Sequence, residues 1–169
     1  MIDDLPASLI SDASVLIDFA EADVEVLSIL AKSFATLHVA QDVLYEVEAL
    51  TFSEARRIGL QLCIPTVEEL VEAAIRGGPL SGRDKLCLAI ARQRKWGCLT
   101  NDHCLRRRCQ EVGVRPIWGL EAMLLAHRRG DLSATRAIKT AQEINRINSH
   151  HINSTILAEF IRQIRALDS

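Results

Sequence analysis

GCLTNDHCLRRRCQEVGVRPIW, from Gly97 to Trp118, is the stretch that decides the fold. Its first four residues, Gly97–Thr100, form a short apolar run that reads as a strand. Asn101 and Asp102 cut that run off. Apolar residues then recur at helical spacing, predicting a helix over Cys104–Val112, and Arg115–Trp118 reads as the next strand. Strands separated by helices imply βαβ units and a parallel sheet, with the strands pointing one way. In such sheets ligands bind at the carboxyl ends of the strands. Asp102 stands at one such end, either as a plain helix cap or as one corner of a charged site.

The same alternation runs outward in both directions. Strands are expected at Ala7–Ile10, at Thr36–Ala40 and from Leu62 to Pro65. Helices are expected within Val15–Leu30, over Asp42–Leu50 and Val67–Ile75, from about Arg83 to Lys95, and over Leu120–Arg129, with a break at Gly77-Gly78-Pro79. Residues 131–169 read as two further helices, Ser133–Ile147 and Ser154–Leu167, split by Asn148–Asn153. The second carries a one-sided stripe of Ile156, Leu157, Phe160, Ile161 and Ile164. The expectation is an α/β domain over residues 1–130, with a C-terminal helical extension, 131–169, that packs on it or forms an oligomer or partner interface.

Composition narrows the class. A chain of 169 residues with 49% hydrophobic and 25% charged residues suits one globular domain with a core of its own. No apolar run reaches the roughly 18–20 residues of a membrane span. The acidic opening, MIDDLPASLI, lacks the basic start of a signal peptide, so a cytoplasmic protein is expected. Five cysteines (Cys63, Cys87, Cys98, Cys104 and Cys109) without a CxxC pair read as free thiols, and His103 beside Cys104 has no partner at metal-ligand spacing. The net charge of −2 hides a polarity. Residues 1–72 hold fourteen acids against three Lys or Arg, and residues 92–146 hold twelve Lys or Arg against five acids. Such a distribution suggests one acidic and one basic surface.

Four acids fall at telling places. Asp12 directly follows the first strand and Asp102 follows GCLT. In a parallel sheet both reach the same edge. In QDVLYEVEAL, Val43, Val47 and Leu50 make a helical stripe. Glu46 falls roughly 60–80° from its centre, which would draw it partly under the domain, whereas Glu48 faces water. Asp84 opens an apolar helix, and Ser81-x-x-Asp84 has the form of a capping box. Each acid has an ordinary structural explanation alone. Clustered, four carboxylates repel one another unless cations are present. Oxygen donors without His or Cys select hard ions, Mg²⁺ or Mn²⁺, the ions of phosphodiester hydrolysis.

DASVLIDF (Asp12–Phe19), VLYEV (Val43–Val47), LSGRDKLCLAIA (Leu80–Ala91) and LTNDHCLRRRCQEVGV (Leu99–Val114) resemble, in order and spacing, the four signatures of PIN-domain nucleases. The resemblance covers nearly all of residues 8–118. It implies a three-layer α/β/α sandwich with a central parallel sheet, and a Mg²⁺- or Mn²⁺-dependent endoribonuclease acting on single-stranded RNA. Asp12, Glu46, Asp84 and Asp102 match the family's catalytic and metal-binding acids. Ser14 and Asn101 match the small polar residues beside them. Many prokaryotic members are toxins held by a small antitoxin and are usually dimeric, so an antitoxin partner and a homodimer or higher oligomer are implied. The tail from GLEAMLLAHRRGDLS onward resembles members with a helical C-terminal extension. One departure concerns the metal. Some members carry a further acid just after the last Asp, whereas here His103, Cys104 and Arg106 follow, with no acid until Glu111. One ion or two remain open.

RNA near four acids also needs basic groups. Arg106, Arg107 and Arg108 lie within about two helical turns of Asp102, and at most two of them share a groove. Arg92, Arg94, Lys95, Arg128 and Arg129 are further candidates, and the planar guanidinium suits phosphate. Lys85, beside Asp84, is expected in water. Trp96 and Trp118 border strands and read as core. The alternative function is a PIN-fold RNA-binding or regulatory module with little catalysis. A phosphotransfer receiver-like protein fits less well, because Asp3 and Asp4 come too early and no Lys ends a later strand.

Overall fold

The computed structural model describes residues 5–169. Five parallel strands form one sheet: β1 (Ser8–Ser11), β2 (Thr36–Ala40), β3 (Gln61–Cys63), β4 (Gly97–Leu99) and β5 (Pro116–Ile117), in the order β3-β2-β1-β4-β5. The chain builds outward from β1 to β3, then crosses back to place β4 on the other side of β1. The direction of winding therefore changes between β1 and β4. A crevice opens at the carboxyl ends of two such strands because their connections leave in opposite directions.

Ten helices accompany the sheet among the described residues. They are α1 (Ala13–Ala22), α2 (Val24–Lys32), α3 (Gln41–Leu44), α4 (Phe52–Ile58), α5 (Val67–Ile75), α6 (Gly82–Arg94), α7 (His103–Glu111), α8 (Gly119–Arg128), α9 (Ala134–Ile147) and α10 (Ser154–Leu167). Helix α6 packs on β1 and β4 and carries α5 and α7 beside it. Helix α2 packs on β2 and joins α1, α4 and α8, with α9 laid on α1 and α8. The two groups are compatible with a three-layer α/β/α arrangement. The core is continuous from Leu9 and Ile10 in β1 through Leu88 and Ile90 in α6 to Ile144 and Ile164 in the last two helices.

Two expected helices break for local reasons. Val15–Leu30 divides at Asp23, whose backbone is extended and whose carboxylate caps α2 through the Glu25 amide. Arg136 of α9 grips the same carboxylate with two bonds of 2.9 Å. Asp42–Leu50 is not one helix. After the four residues of α3, Glu46, Val47 and Leu50 donate to the carbonyls three residues earlier, which makes successive tight turns. Val43, Leu44, Val47 and Leu50 are all buried by those turns. Thr51 then starts α4 with a capping box to Glu54.

Residues 134–167 pack on α1 and α8 as two helices, with Ala137, Ala141, Ile144, Phe160 and Ile164 buried. No helix among the described residues is long and apolar enough to cross a membrane.

Candidate active site

Asp12 follows β1 directly and caps α1, accepting from the Val15 amide at 3.3 Å. Its own amide donates to the Leu99 carbonyl at 3.2 Å, fixing it against β4 at the crevice. The Ser14 hydroxyl donates to its carboxylate at 2.7 Å, and the Thr100 hydroxyl makes a second, short bond. The side chain is only 2% exposed. Burial raises the Asp12 pKa from 3.8 to about 7, outweighing the hydroxyl bonds, and the charge of Asp84 adds to the rise.

Asp102 caps α7 through the Leu105 amide at 2.7 Å. Its amide donates to the Thr100 hydroxyl at 3.0 Å. Thr100 thus joins the two acids: its hydroxyl donates to the Asp12 carboxylate and accepts from the Asp102 backbone. Thr100 is a site residue that the sequence pattern does not mark. Its signal was a hydroxyl at the strand end, between two acids that the parallel register brings together.

Asp84 lies in the first turn of α6, in a reciprocal bond with Ser81: the amide donates at 3.1 Å and the hydroxyl returns at 2.8 Å. One turn later, the Cys87 thiol donates to the Ser11 carbonyl at 3.7 Å, which sets this end of α6 over the end of β1. Burial raises the Asp84 pKa, and the charges of Asp102 and Glu46 raise it further. The neighbouring Lys85 is partly buried rather than free in water.

Glu46 departs from expectation. It sits in the tight turns after α3, it is exposed, and its carboxylate meets Arg83 at 2.6 Å. No helical wheel places Glu46, because α3 ends at Leu44. Arg83, two residues from Ser81, was not singled out from sequence.

The donors are carboxylate oxygens, which suit a hard divalent cation. The upward shifts of Asp12 and Asp84 record negative charge held out of water. Even so, among the described residues no three acidic, His or Cys side chains stand close enough to grip one ion. The local bonds explain why. Asp12 turns to Ser14 and Thr100, Asp84 to Ser81, Asp102 to its own helix, and Glu46 to Arg83. The donor chemistry fits, and the quartet is gathered but not closed.

Behind the acids, the expected Asn101 and Ser14 belong to a larger polar group whose other members, Asp18, Asn148 and His151, the sequence does not mark. Asn101 donates through its amide nitrogen to Asp18 at 2.7 Å and accepts from the Gly119 amide at 3.0 Å. Its backbone N–H donates to Ser14 Oγ at 3.0 Å. Asp18 is 2% exposed and is met from the α9–α10 loop by Asn148 at 3.2 Å and His151 at 2.5 Å. The signal was available: Asp18 is an acid three residues after Val15, on the apolar stripe of α1.

The basic candidates separate. Arg92 makes two bonds of 2.7 Å to Glu72, and Arg94 makes bonds of 2.6 and 2.9 Å to Glu69, so both pin α6 to α5. Lys95 ends α6 in the left-handed conformation, with φ 57°. Arg107 and Arg108 both pair with Glu111. Arg106 pairs with no carboxylate among the described residues; its guanidinium stacks 4.5 Å from the Trp118 ring. Trp118 is half-buried beside a cavity rather than sealed in the core.

No protein-family model matches this chain, and no curated protein does.

Proposed function

We propose that this chain is a Mg²⁺- or Mn²⁺-dependent ribonuclease of the PIN type, cutting phosphodiester bonds of single-stranded RNA. One observation carries the proposal: Asp12, Asp84 and Asp102 converge where the winding of a parallel sheet reverses, with Asp12 and Asp84 held above their ordinary pKa. Asp12, Asp84 and Asp102 would hold the cation, joined by Glu46 once it leaves Arg83. The chemistry such an ion supplies is activation of a water and neutralisation of charge on the phosphate. Ser14 and Thr100 fix the Asp12 carboxylate. Asn101 holds Asp102's strand end against α1 and α8. The basic end of α7 offers positive charge one turn from Asp102. Hydrolysis of a single-stranded RNA with Mn²⁺, set against EDTA, tests the proposal.

The open geometry favours a second reading, a PIN-fold RNA-binding module with little catalysis. Calorimetric titration with Mn²⁺ separates the two. Saturable binding weakened by Asp102→Asn supports the nuclease, and RNA binding without any Mn²⁺ site supports the module. The toxin role, the antitoxin and the dimer extend the same proposal. Co-purification with the product of a neighbouring small gene would support them.

A further inference from the structure

The cavity beside α7 and β5 has a volume of about 470 Å³, and its lining includes Arg106, Arg107, Arg115, His103, Trp118 and one acid, Glu121. Two of its basic groups are already neutralised: Arg107 pairs with Glu111, and Arg115 with Glu121 at 2.6 Å. Arg106 differs. Its guanidinium makes no hydrogen bond or ion pair to the described residues, and its Nε is buried with no partner. Burial depresses its pKa. The neighbouring Trp118 Nε1 is likewise buried without a partner. Buried donors in native proteins are almost always satisfied, so two unpartnered donors on stacked residues that both line this cavity call for an acceptor. An unpaired, half-buried guanidinium also calls for negative charge.

We propose that this cavity binds a phosphate oxyanion, namely a backbone phosphate of the RNA adjoining the one that is cut. An oxyanion offers several acceptor oxygens, enough for the guanidinium fork and the indole N–H together. The indole face keeps Arg106 flat and ready, at an energy cost lower than that of a free arginine chain. The Arg106 amide donates to the Asp102 carbonyl at 3.0 Å, so the cavity lies one helical turn from the acidic site. The assignment of the phosphate to RNA rests on the ribonuclease reading; the oxyanion site does not.

Isothermal titration in EDTA, where no hydrolysis occurs, separates the two. The full-length chain is titrated with inorganic phosphate and with a short single-stranded oligoribonucleotide, at matched ionic strength. Saturable oligonucleotide binding is expected, weakened about tenfold by Arg106→Gln and severalfold by Trp118→Phe, which keeps the packing but removes the N–H. Arg106→Lys should fall between, since it keeps the charge and loses the fork. Arg146→Gln, on an exposed face of α9 outside the cavity, should leave affinity unchanged. Saturation by inorganic phosphate alone, lost in Arg106→Gln, would uphold the oxyanion site and overturn its assignment to RNA. No saturable binding of either ligand, or equal binding by wild type and folded Arg106→Gln, would overturn the proposal.

Discussion

His151 Nδ1 lies 2.5 Å from Asp18 Oδ2, so a loop 133 residues later in the chain closes over a buried acid of the first helix. The hydrogen bond to Asp18 raises the His151 pKa above its ordinary 6.5, with further contributions from the charges of Asp18, Asp12 and Asp102. Below about pH 6.5 the folded and unfolded chains both carry the proton, and the pairing contributes in full. Above that, the unfolded chain releases its proton first, and the contribution disappears as the pH passes the raised folded value. His151→Ala should therefore cost about 1–3 kcal/mol at pH 6 and clearly less at pH 9. Thermal melts at the two values check this, and an equal loss at both would refute it.

Asp12 titrates with the opposite chemistry but the same slope. Its folded pKa of about 7 stands above the unfolded 3.8, so the fold holds a proton that the unfolded chain has lost. Without a cation, stability falls between about pH 4 and pH 7. Asp12→Asn removes the buried charge and should raise the melting temperature in EDTA at pH 8 by roughly 4 °C or more, with little change at pH 4. Mn²⁺ should stabilise the wild type at pH 8 and not the variant.

Arg83 pairs with the Glu46 carboxylate at 2.6 Å and offsets its charge beside Asp84. The pair is half-exposed, so Arg83→Gln should change stability by under about 0.5 kcal/mol. Freed, Glu46 adds negative charge to the site. Calorimetry should then show Mn²⁺ binding severalfold tighter than in the wild type. Weaker binding would mean that Arg83 itself supports the site.

Gly119 carries the strictest steric demand near the acids. A Cβ there would stand 2.9 Å from Asn101 Oδ1 and 2.9 Å from Phe19 Cε2. Both neighbours are packed, and Asn101 is bonded to Asp18 and Ser14. Gly119→Ala should cost about 1–3 kcal/mol and displace Asn101. Chemical shifts of the Asn101 side-chain amide would report the displacement directly, and an unchanged resonance would refute it.

Much of the sheet was legible because strands such as SLIS and GCL are short runs with an apolar centre, cut off by polar residues that lead into a helix. Two helix caps were legible too, since Ser81 and Asp102 are strong cap residues in the expected places. The region after β2 was not. Val43, Val47 and Leu50 satisfy a helical stripe and a run of tight turns equally well, and hydrophobic spacing alone cannot separate them. The acids at the ends of β1 and β4 were found because the parallel register links them. Asn101 was legible beside Asp102, but its partners Asp18 and His151 were not, because they meet it only through tertiary packing. Pairing of the arginines was equally invisible, and it reduces the basic run of α7 to a single unpaired guanidinium.

Metal-dependent hydrolysis at the acidic site is measured by following cleavage of a single-stranded RNA by wild type, Asp12→Asn and Asp102→Asn, each with Mn²⁺ and with EDTA. The wild type should hydrolyse the RNA with Mn²⁺ and not with EDTA, and both variants should lose at least about a hundredfold. Equal cleavage by all three proteins, or cleavage by the wild type that persists in EDTA, would contradict it.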